Sequence, residues 1–470
     1  MAKRSLLKRK LRGRERGAAL IMVLGSLVIL SVMLAESQDE MSAEFASVLS
    51  DRDALKAEYA AKSAINLARL LVAAEPTVRS AAGLLLGALG GGKAPQIPVW
   101  EFAPQILGAF GDGDGAAEFR ALTNTDISGG DGLGLDGAGF EIRIVDEDSK
   151  IGLNNAGRST FGAQNVARQL MGLIGGPQFD PLFDRRNEAG EYASRLDVCS
   201  AIIDWVDANQ DVENCEATAQ NTATGAEDSS YRNLADPYQR KNAAFDSMEE
   251  LRLVRGVGDD FWATFVEPDP SDPGQRPLSV WSSGRININT ASPLTMLSYI
   301  CAWAVPTTEL CHDPSGEKPM AFLAALSLAK SMVAGVPVFR SAKQLREALK
   351  GQGTFGPMFT QLAGIEPVEF LSDAGFDGGL SLESKVFSMY AEGHVRAGKR
   401  ETHVRIQAVV DFRKAPTVED LLSQVSAGGD PAAGAPPPTP ESNTSTEEPV
   451  GISGALVPST AGRVIYYRVN

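Results

Sequence analysis

The chain has 470 residues, of which 43% are hydrophobic and 22% are charged. This length and composition are those of a folded protein with roughly two to four domains. The formal net charge is −15. Such an acidic chain argues against a nucleic-acid partner, because neutralising phosphates needs clustered Lys and Arg.

The N-terminal residues divide into a basic segment and an uncharged one. Residues 1–17 hold eight Lys or Arg and one acid, Glu15, whereas residues 18–35 hold no charge. The uncharged run is close to the shortest that spans a membrane as a helix. Because basic residues precede it and acidic residues follow it, the positive-inside rule predicts a cytoplasmic N-terminus and a body across the membrane. An ordinary signal peptide and a plain anchor are the alternatives.

The border between these segments is typical of a prepilin processing site. Gly17 stands directly before the apolar run, so we expect a prepilin-type peptidase to cleave between Gly17 and Ala18. Removing the leader, whose net charge is +7, would leave a chain of net charge −15 − 7 = −22. The fifth residue of that chain would be Met22, where most pilin-like proteins carry Glu. Apolar residues then recur at helical spacing without a Pro until Pro76, which predicts an amphipathic stalk helix over 36–75.

Farther along, the pattern changes from strand to helix and back to strand. Helical periodicity fills most of 159–262 and 291–350. Residues 425–450 are rich in Pro, Ala, Gly, Ser and Thr, which predicts a disordered loop. Alternating apolar residues predict four strands, at 140–146, 386–396, 401–412 and 463–469.

This order predicts an α+β fold in which strands flank a helical region. We expect residues 76–154 and 380–470 to form one α/β domain. Residues 155–379 would interrupt it as a helical insertion, divided into subdomains at 155–283 and 284–379.

The four cysteines fall into two local pairs, Cys199/Cys215 and Cys301/Cys311. Their even number and short spacing fit two disulfides in an oxidising compartment, and four unrelated buried thiols are the alternative. A zinc site at these cysteines is disfavoured, because the chain has no Cys-x-x-Cys.

The densest group of oxygen ligands follows the first cysteine. Clustered carboxylate and amide oxygens are what Ca²⁺ requires. The group begins like an EF-hand loop, but Val212 stands where that loop needs Gly and Thr218 where it needs Glu, so a loop site of another kind is expected. A solvated acidic loop and an acid–base pair are the alternatives. The candidate ligands are Asp204, Asp207, Asn209, Asp211, Glu227 and Asp228.

Two segments resemble helix-hairpin-helix units, namely 245–258 and 285–292 with a continuation at 339–345. Asp259 and Asp260 follow the first hairpin directly, which weakens a phosphate site and favours a structural or protein-binding role. Ser247 with Glu250 also fits a capping box. We find no Gly-x-Ser-x-Gly, His-Glu-x-x-His or P-loop, and the three His are scattered, so no catalytic site is expected.

Taken in order along nearly the whole chain, these features resemble the minor pseudopilin K family of type II secretion, also called general secretion pathway protein K. The leader junction lacks Glu at the fifth mature position, as in that family. The other matching segments are 145–154, 203–207, 225–228 with Tyr231, 245–251 and 284–291.

The resemblance implies a pilin-like α/β domain with a large helical insertion, SAM-like or helix-hairpin-helix-like, and a role without enzymatic activity. It implies a single-pass protein of the bacterial inner membrane, cleaved by the prepilin peptidase, methylated, and placed at the tip of the periplasmic pseudopilus. Its partners would be the minor pseudopilins I and J, the major pseudopilin filament and the inner-membrane assembly platform, with export of folded proteins across the outer membrane as the result. Family members bind calcium in the helical domain, which favours calcium at the six candidate ligands.

The chain departs from the family pattern at Gly152, where Asn is usual, and in the added stretch 425–450. Met22 suggests a mechanism, because a charge inside the membrane is costly unless it is paired. A subunit without Glu at this position needs no neighbour ahead of it and can enter the filament first. A minor pilin-like protein of a DNA-uptake or type IV pilus system is one alternative, and a membrane-anchored hydrolase is another.

Overall fold

The computed structural model describes the chain with gaps, and the Pro-rich stretch 425–450 lies outside the described residues. The described residues are 3–88, 98–108, 110–111, 134–135, 137–183, 186, 192–209, 212–215, 231, 237–312, 316–332, 337–398, 400–415 and 461–470.

The described residues form a mixed helix and sheet structure. The strands are β1 Ala138–Asp146, β2 Ile151–Gly152, β3 Leu278–Ser279, β4 Ile286–Asn287, β5 Leu380–Ser381, β6 Val386–Ala397, β7 Arg400–Asp411 and β8 Arg463–Val469. The α-helices are α1 Lys3–Ala88, α2 Ala103–Gly108, α3 Thr160–Ile174, α4 Asp180–Phe183, α5 Arg195–Val206, α6 Asp259–Phe261, α7 Pro293–Trp303, α8 Glu309–His312, α9 Glu317–Met332, α10 Ala342–Leu349 and α11 Asp373–Gly378.

Helix α1 contains 86 residues and includes residues 3–17 of the predicted leader, the predicted membrane span and the predicted stalk. The predicted end of the stalk near residue 75 is wrong, because α1 continues through Pro76 to its last residue, Ala88. A proline inside a helix removes one internal hydrogen bond and crowds one carbonyl, at a cost of about 3 kcal/mol. The Ala- and Leu-rich sequence on both sides of Pro76 favours the helix and offsets that cost.

The main sheet is antiparallel, with the strand order β1-β6-β7-β8. Its strands lie where the alternating sequence predicted them, within one or two residues at each end. Residues 138–146 and 386–397 pair directly although the whole helical region separates them in sequence. The sheet is therefore completed only when the chain returns from that region.

The second half of α1 packs on one face of this sheet. The side chains facing the sheet are mostly small, which lets the helix approach closely; they include Ala57, Ala60, Ala61, Ala64 and Ala68. The closest approach is at Gly393 of β6, where a Cβ atom would lie 1.9 Å from the carbonyl oxygen of Ala57. Arg69 of α1 also donates hydrogen bonds to the carbonyls of Ala461 and Gly462, which fixes the start of β8.

Residues 153–379, which we call the helical block, form a second apolar core in the described part of the chain. Helices α3, α5 and α7 pack together at its centre. Two short parallel strand pairs, β2 with β3 and β4 with β5, lie where the chain enters and leaves this block.

Candidate functional site

The predicted acidic cluster begins at the end of α5. This helix starts with a capping box formed by Ser194 and Asp197, so its first turn is fixed. Asp204 lies in its last turn and Asp207 is its C-terminal cap, and both are buried, with 6% and 7% of their surface exposed. Three of the predicted ligands, Asp211, Glu227 and Asp228, lie outside the described residues.

The chain folds back on itself after α5 and brings a further carboxylate into this cluster. The backbone N–H of Glu213 donates to Asp204 Oδ1 at 2.8 Å, and the Glu213 side chain is buried. Asn209 Nδ2 donates to Asp207 Oδ2 at 2.7 Å. Glu213 was not among the predicted ligands, although it closes the same acidic stretch two residues before Cys215.

Burial sets the electrostatics of this cluster. It raises the pKa of Asp204 to about 7 and raises the pKa of Asp207, and the guanidinium of Arg240 opposes both shifts. Arg240 also donates to the carbonyl oxygens of Asp204 and Asn209, at 3.2 Å each. Three buried carboxylates thus lie in one cluster, and burial disfavours the ionised forms of Asp204 and Asp207.

Carboxylate and amide oxygens are the type of donor that an oxygen-binding cation such as Ca²⁺ takes. Asp207 Oδ1 is buried and has no hydrogen-bond partner within the described residues. Such an atom is costly unless a water or an ion satisfies it. The described residues do not by themselves bring three His, Cys, Asp or Glu side chains together around one metal position.

Both cysteine pairs are disulfides in the structure. Cys199 and Cys215 join α5 to the segment that carries Glu213, with their Cα atoms 6.2 Å apart. The hydroxyl of Ser200 donates to the Glu213 carbonyl at 2.7 Å and holds the same segment. Cys301 and Cys311 join α7 to α8.

A second buried acidic group lies at the end of β1, where the chain passes from the sheet into the helical block. Asp148 accepts backbone N–H groups from Ser283 at 2.6 Å, Lys385 at 2.7 Å and Val386 at 3.2 Å. Its neighbour Asp146 accepts the hydroxyl of Thr290. A single turn of chain thereby holds both the entry to the helical block and the exit from it.

Glu147 completes this junction. Its carboxylate accepts Lys150 Nζ at 2.9 Å, the Ser279 hydroxyl at 2.5 Å and the Ser388 hydroxyl at 2.6 Å. Burial, with the nearby Asp148 carboxylate, raises the pKa of Asp146 to about 7. Residues 145–154 match the family pattern in sequence, but no periodicity predicts their hydrogen-bond partners.

The structure explains why this chain has Gly152 where the family pattern has Asn. Asn155 Nδ2 donates to the Gly152 carbonyl at 2.9 Å, and a Cβ atom at residue 152 would lie only 2.4 Å from that nitrogen. Asn155 and Ser282 therefore occupy the space that a side chain at residue 152 would need.

The first predicted helix-hairpin-helix segment has a different structure. Residues Met248–Leu253 form a 3-10 helix, and a three-residue helix, α6, and a π-helical turn follow. The predicted capping box is wrong, because the Ser247 side chain caps nothing and Glu250 instead accepts the backbone N–H of Asp246. Acidic side chains also pair with nearby cations, as Arg252 does with Asp259.

The second predicted helix-hairpin-helix segment has its two parts side by side, as the sequence suggested. Asn289 donates to the Phe339 carbonyl and accepts its N–H, both at 3.0 Å, so 285–292 and 339–345 are adjacent. Strand β4 and helix α7, capped by Ser292, follow one another here.

The predicted processing site lies within α1. Gly17 is exposed, and the apolar side chains from Leu20 to Leu34 are exposed as well. Within the described residues, α1 is long and apolar enough to cross a membrane, a property that a signal sequence also has. The structure thus fits a single N-terminal anchor.

These features define a protein of mixed helix and sheet, with a long apolar N-terminal helix that fits a membrane anchor and a disulfide-linked helical block. Residues 150–265 match the family model described as type II secretion system (T2SS), protein K. The resemblance to the protein K family is thereby confirmed, and this segment, nearly all of which lies in the helical block, carries it. The proteins of the matched family are components of a secretion system.

Among solved structures, the chain is similar to one described as the crystal structure of the GspK-GspI-GspJ complex from the enterotoxigenic Escherichia coli type 2 secretion system. The identity is 14% and the TM-score 0.36, over 59% of this chain and 76% of that chain. No curated protein sequence matches the chain.

Proposed function

We propose that this chain is a minor pseudopilin at the tip of the type II secretion pseudopilus, where it starts assembly and supports export of folded proteins across the outer membrane. The observation that carries the proposal is the match of residues 150–265 to protein K. The apolar N-terminal half of α1 supports it, because this half continues without interruption into a half that packs on the sheet.

Met22 supports the position at the tip. Its side chain is 73% exposed on the apolar half of α1, where it would face lipid or a neighbouring subunit. Most pilin-like subunits carry Glu at this place and pair it with the amine of the subunit ahead, because an unpaired charge in the membrane is costly. A subunit with Met requires no such partner and can be the first to enter.

The proposed partners are the minor pseudopilins I and J, as GspK of enterotoxigenic Escherichia coli is found in a complex with GspI and GspJ. The major pseudopilin filament, the prepilin peptidase and the assembly platform complete the set. The charge distribution around the apolar run supports an inner-membrane anchor with the N-terminus in the cytoplasm and the body in the periplasm.

The test compares Met22→Glu with Met33→Glu in cells that lack the native chain. Both changes place the same charge on the same residue type within the exposed apolar segment. We expect Met22→Glu to disturb the order of assembly, measured by co-purification with I and J and by secretion, and Met33→Glu to do so less. Normal assembly and secretion with Met22→Glu, or failure of the parent chain to co-purify with I and J, would contradict the proposal.

We further propose that the acidic cluster binds Ca²⁺. Asp204, Asp207 and Glu213 supply buried carboxylates, and the predicted ligands Asn209, Asp211, Glu227 and Asp228 belong to the same or a nearby segment. Bound calcium would neutralise these carboxylates and hold the segment after α5. The orphaned Asp207 Oδ1 is the observation that supports it most directly.

Calorimetry on the full chain in detergent tests the calcium site. We expect Asp207→Asn and Glu227→Ala to weaken Ca²⁺ binding at least tenfold. Glu366→Gln is the matched control, since Glu366 is exposed and lies outside the cluster, and it should leave binding unchanged. An absence of binding heat in the parent chain would end the proposal.

A further inference from the structure

The β6–β7 hairpin places two of the three His residues of the chain opposite each other. The register of the strands pairs His394 with His403, and their ring centroids are 6.1 Å apart. Gly393 and Val395, the neighbours of His394 in sequence, face α1. Both imidazoles therefore lie on the opposite face of the sheet, which we call the outer face.

Two carboxylates lie beside His403 of this pair. Glu392 Oε1 lies 2.9 Å from His403 Nδ1, and Glu401 Oε1 lies 3.8 Å from His403 Nε2. Both nitrogens of one imidazole thus have an acidic neighbour. On β1, Glu141 stands directly opposite Glu392 and adds a third carboxylate to the outer face.

Two arginines on the same face bind the carboxylates. Arg405 donates to Glu392 at 2.7 Å, and Arg396 donates to Glu401 at 3.0 Å. The arginine side chains are exposed and can turn towards solvent when another cation competes for the carboxylates.

The strand next to the pair leaves space for an imidazole. A Cβ atom at Gly139 of β1 would lie 2.5 Å from His394 Nε2. The ring of His394 therefore occupies the place that a side chain at residue 139 would take. The His403 side chain is 45% exposed, so it can change rotamer at little packing cost.

Two imidazoles and a carboxylate are a ligand set that Zn²⁺ prefers. With Zn–N bonds of about 2.0–2.1 Å, two ligating rings have centroids roughly 5–6 Å apart. The separation in the structure is close to this range, although within the described residues no three such side chains already converge on one point. Small rotations of the two rings would therefore complete the site.

We propose that His394 and His403, with Glu392 as a third ligand, form a Zn²⁺ site that joins β6 to β7 on the outer face. The site is separate from the acidic cluster in the helical block and does not depend on the proposed pseudopilin function. Bound zinc cross-links the two strands near their shared turn and stabilises the hairpin.

The test uses the full chain without a polyhistidine tag, in detergent, stripped with a chelator and then supplied with excess Ca²⁺ to saturate the acidic cluster. Zn²⁺ titration by calorimetry should show one equivalent bound, and zinc should raise the thermal unfolding temperature. His394→Ala and His403→Ala should each abolish both effects. His312→Ala, which changes the His in α8, should abolish neither.

The unfolding temperature of each variant is also measured without metal. A value equal to that of the metal-free parent shows that the variant folds. Zinc binding retained by both sheet variants, or lost in His312→Ala, overturns the proposal, as does an absence of zinc binding in the parent. Binding lost in both sheet variants and retained in His312→Ala supports it.

Discussion

Asp148 accepts the backbone N–H of Lys385 at 2.7 Å, although 237 positions separate the two residues. The same carboxylate also bonds Ser283, so it holds the chain both inside the helical block and after it. A buried carboxylate that satisfies several backbone donors cannot be removed without leaving those donors unpaired. The contact is therefore important for the attachment of the helical block to the sheet.

Asp148→Asn should lower the free energy of unfolding by about 2 kcal/mol, because the amide that replaces one oxygen cannot accept an N–H. Denaturant titration of the chain in detergent measures the change. Asp259→Asn removes an exposed ion pair with Arg252 and should cost under about 1 kcal/mol. Equal stability of the Asp148→Asn variant and the parent would show that the junction does not depend on this charge.

Gly393→Ala should destabilise the packing of α1 on the sheet. The new Cβ atom would meet the Ala57 carbonyl at 1.9 Å, and the backbone must move to accommodate it. We expect a loss of about 1–3 kcal/mol in the free energy of unfolding, as for other overpacked sites. Gly258→Ala is the control, because nothing lies within 4 Å of the added carbon. Similar unfolding midpoints for both variants would argue against the close approach.

Replacing Cys199 and Cys215 together by Ser should lower the free energy of unfolding by about 3 kcal/mol, the cost of freeing a loop of this length. It should also weaken Ca²⁺ binding, because the segment carrying Glu213 loses its covalent link to α5. Replacing Cys301 and Cys311 should destabilise the chain with calcium affinity unchanged. In the parent, intact-mass analysis after thiol alkylation should find no labelled cysteine, and four labelled cysteines would refute both disulfides.

Calcium affinity should fall as the pH drops through 7. Burial raises the pKa of Asp204 to about 7, so protons compete with Ca²⁺ for this carboxylate near neutral pH. The affinity should change by up to about tenfold per pH unit for one such group. Asp204→Asn should flatten this dependence while weakening binding. Calorimetry at pH 6, 7 and 8 measures the effect, and an affinity constant across this range would contradict it.

The same shift has the opposite effect on the metal-free protein. Between the ordinary pKa of 3.8 and about 7, the native state keeps a proton on Asp204 that the unfolded state has released. The contribution of this group to the free energy of unfolding therefore decreases as the pH rises through that window. Added calcium should reverse the trend at neutral pH.

The strands could be predicted because each shows a strong alternation with one face on α1. In β6 and β7 the side chains that face α1 are apolar or small, and the opposite positions carry Glu, His and Arg. The turn after Ala397 then determines the register of the hairpin. This register pairs His394 with His403, so the sequence contained that relationship, although the two residues looked scattered.

The junction could not be predicted in the same way. Besides the nearby Lys150, the partners of Glu147 are Ser279 and Ser388, single hydroxyl groups far away in sequence and without any periodic pattern. The apolar spacing of 245–258 predicts a helical hairpin, but a 3-10 turn satisfies the same spacing. In both cases the tertiary environment, rather than local preference, decides the structure.

The tight contact between Gly393 and Ala57 has a mechanical consequence. Helix α1 has 86 residues and a length of roughly 130 Å at 1.5 Å per residue, so its apolar end lies far from the sheet. A force along the axis of α1 would act on this contact in shear, parallel to the interface between helix and sheet. It would not separate the strands from the helix one at a time. The small side chains beneath the helix would then set the force at which the helix separates from the sheet.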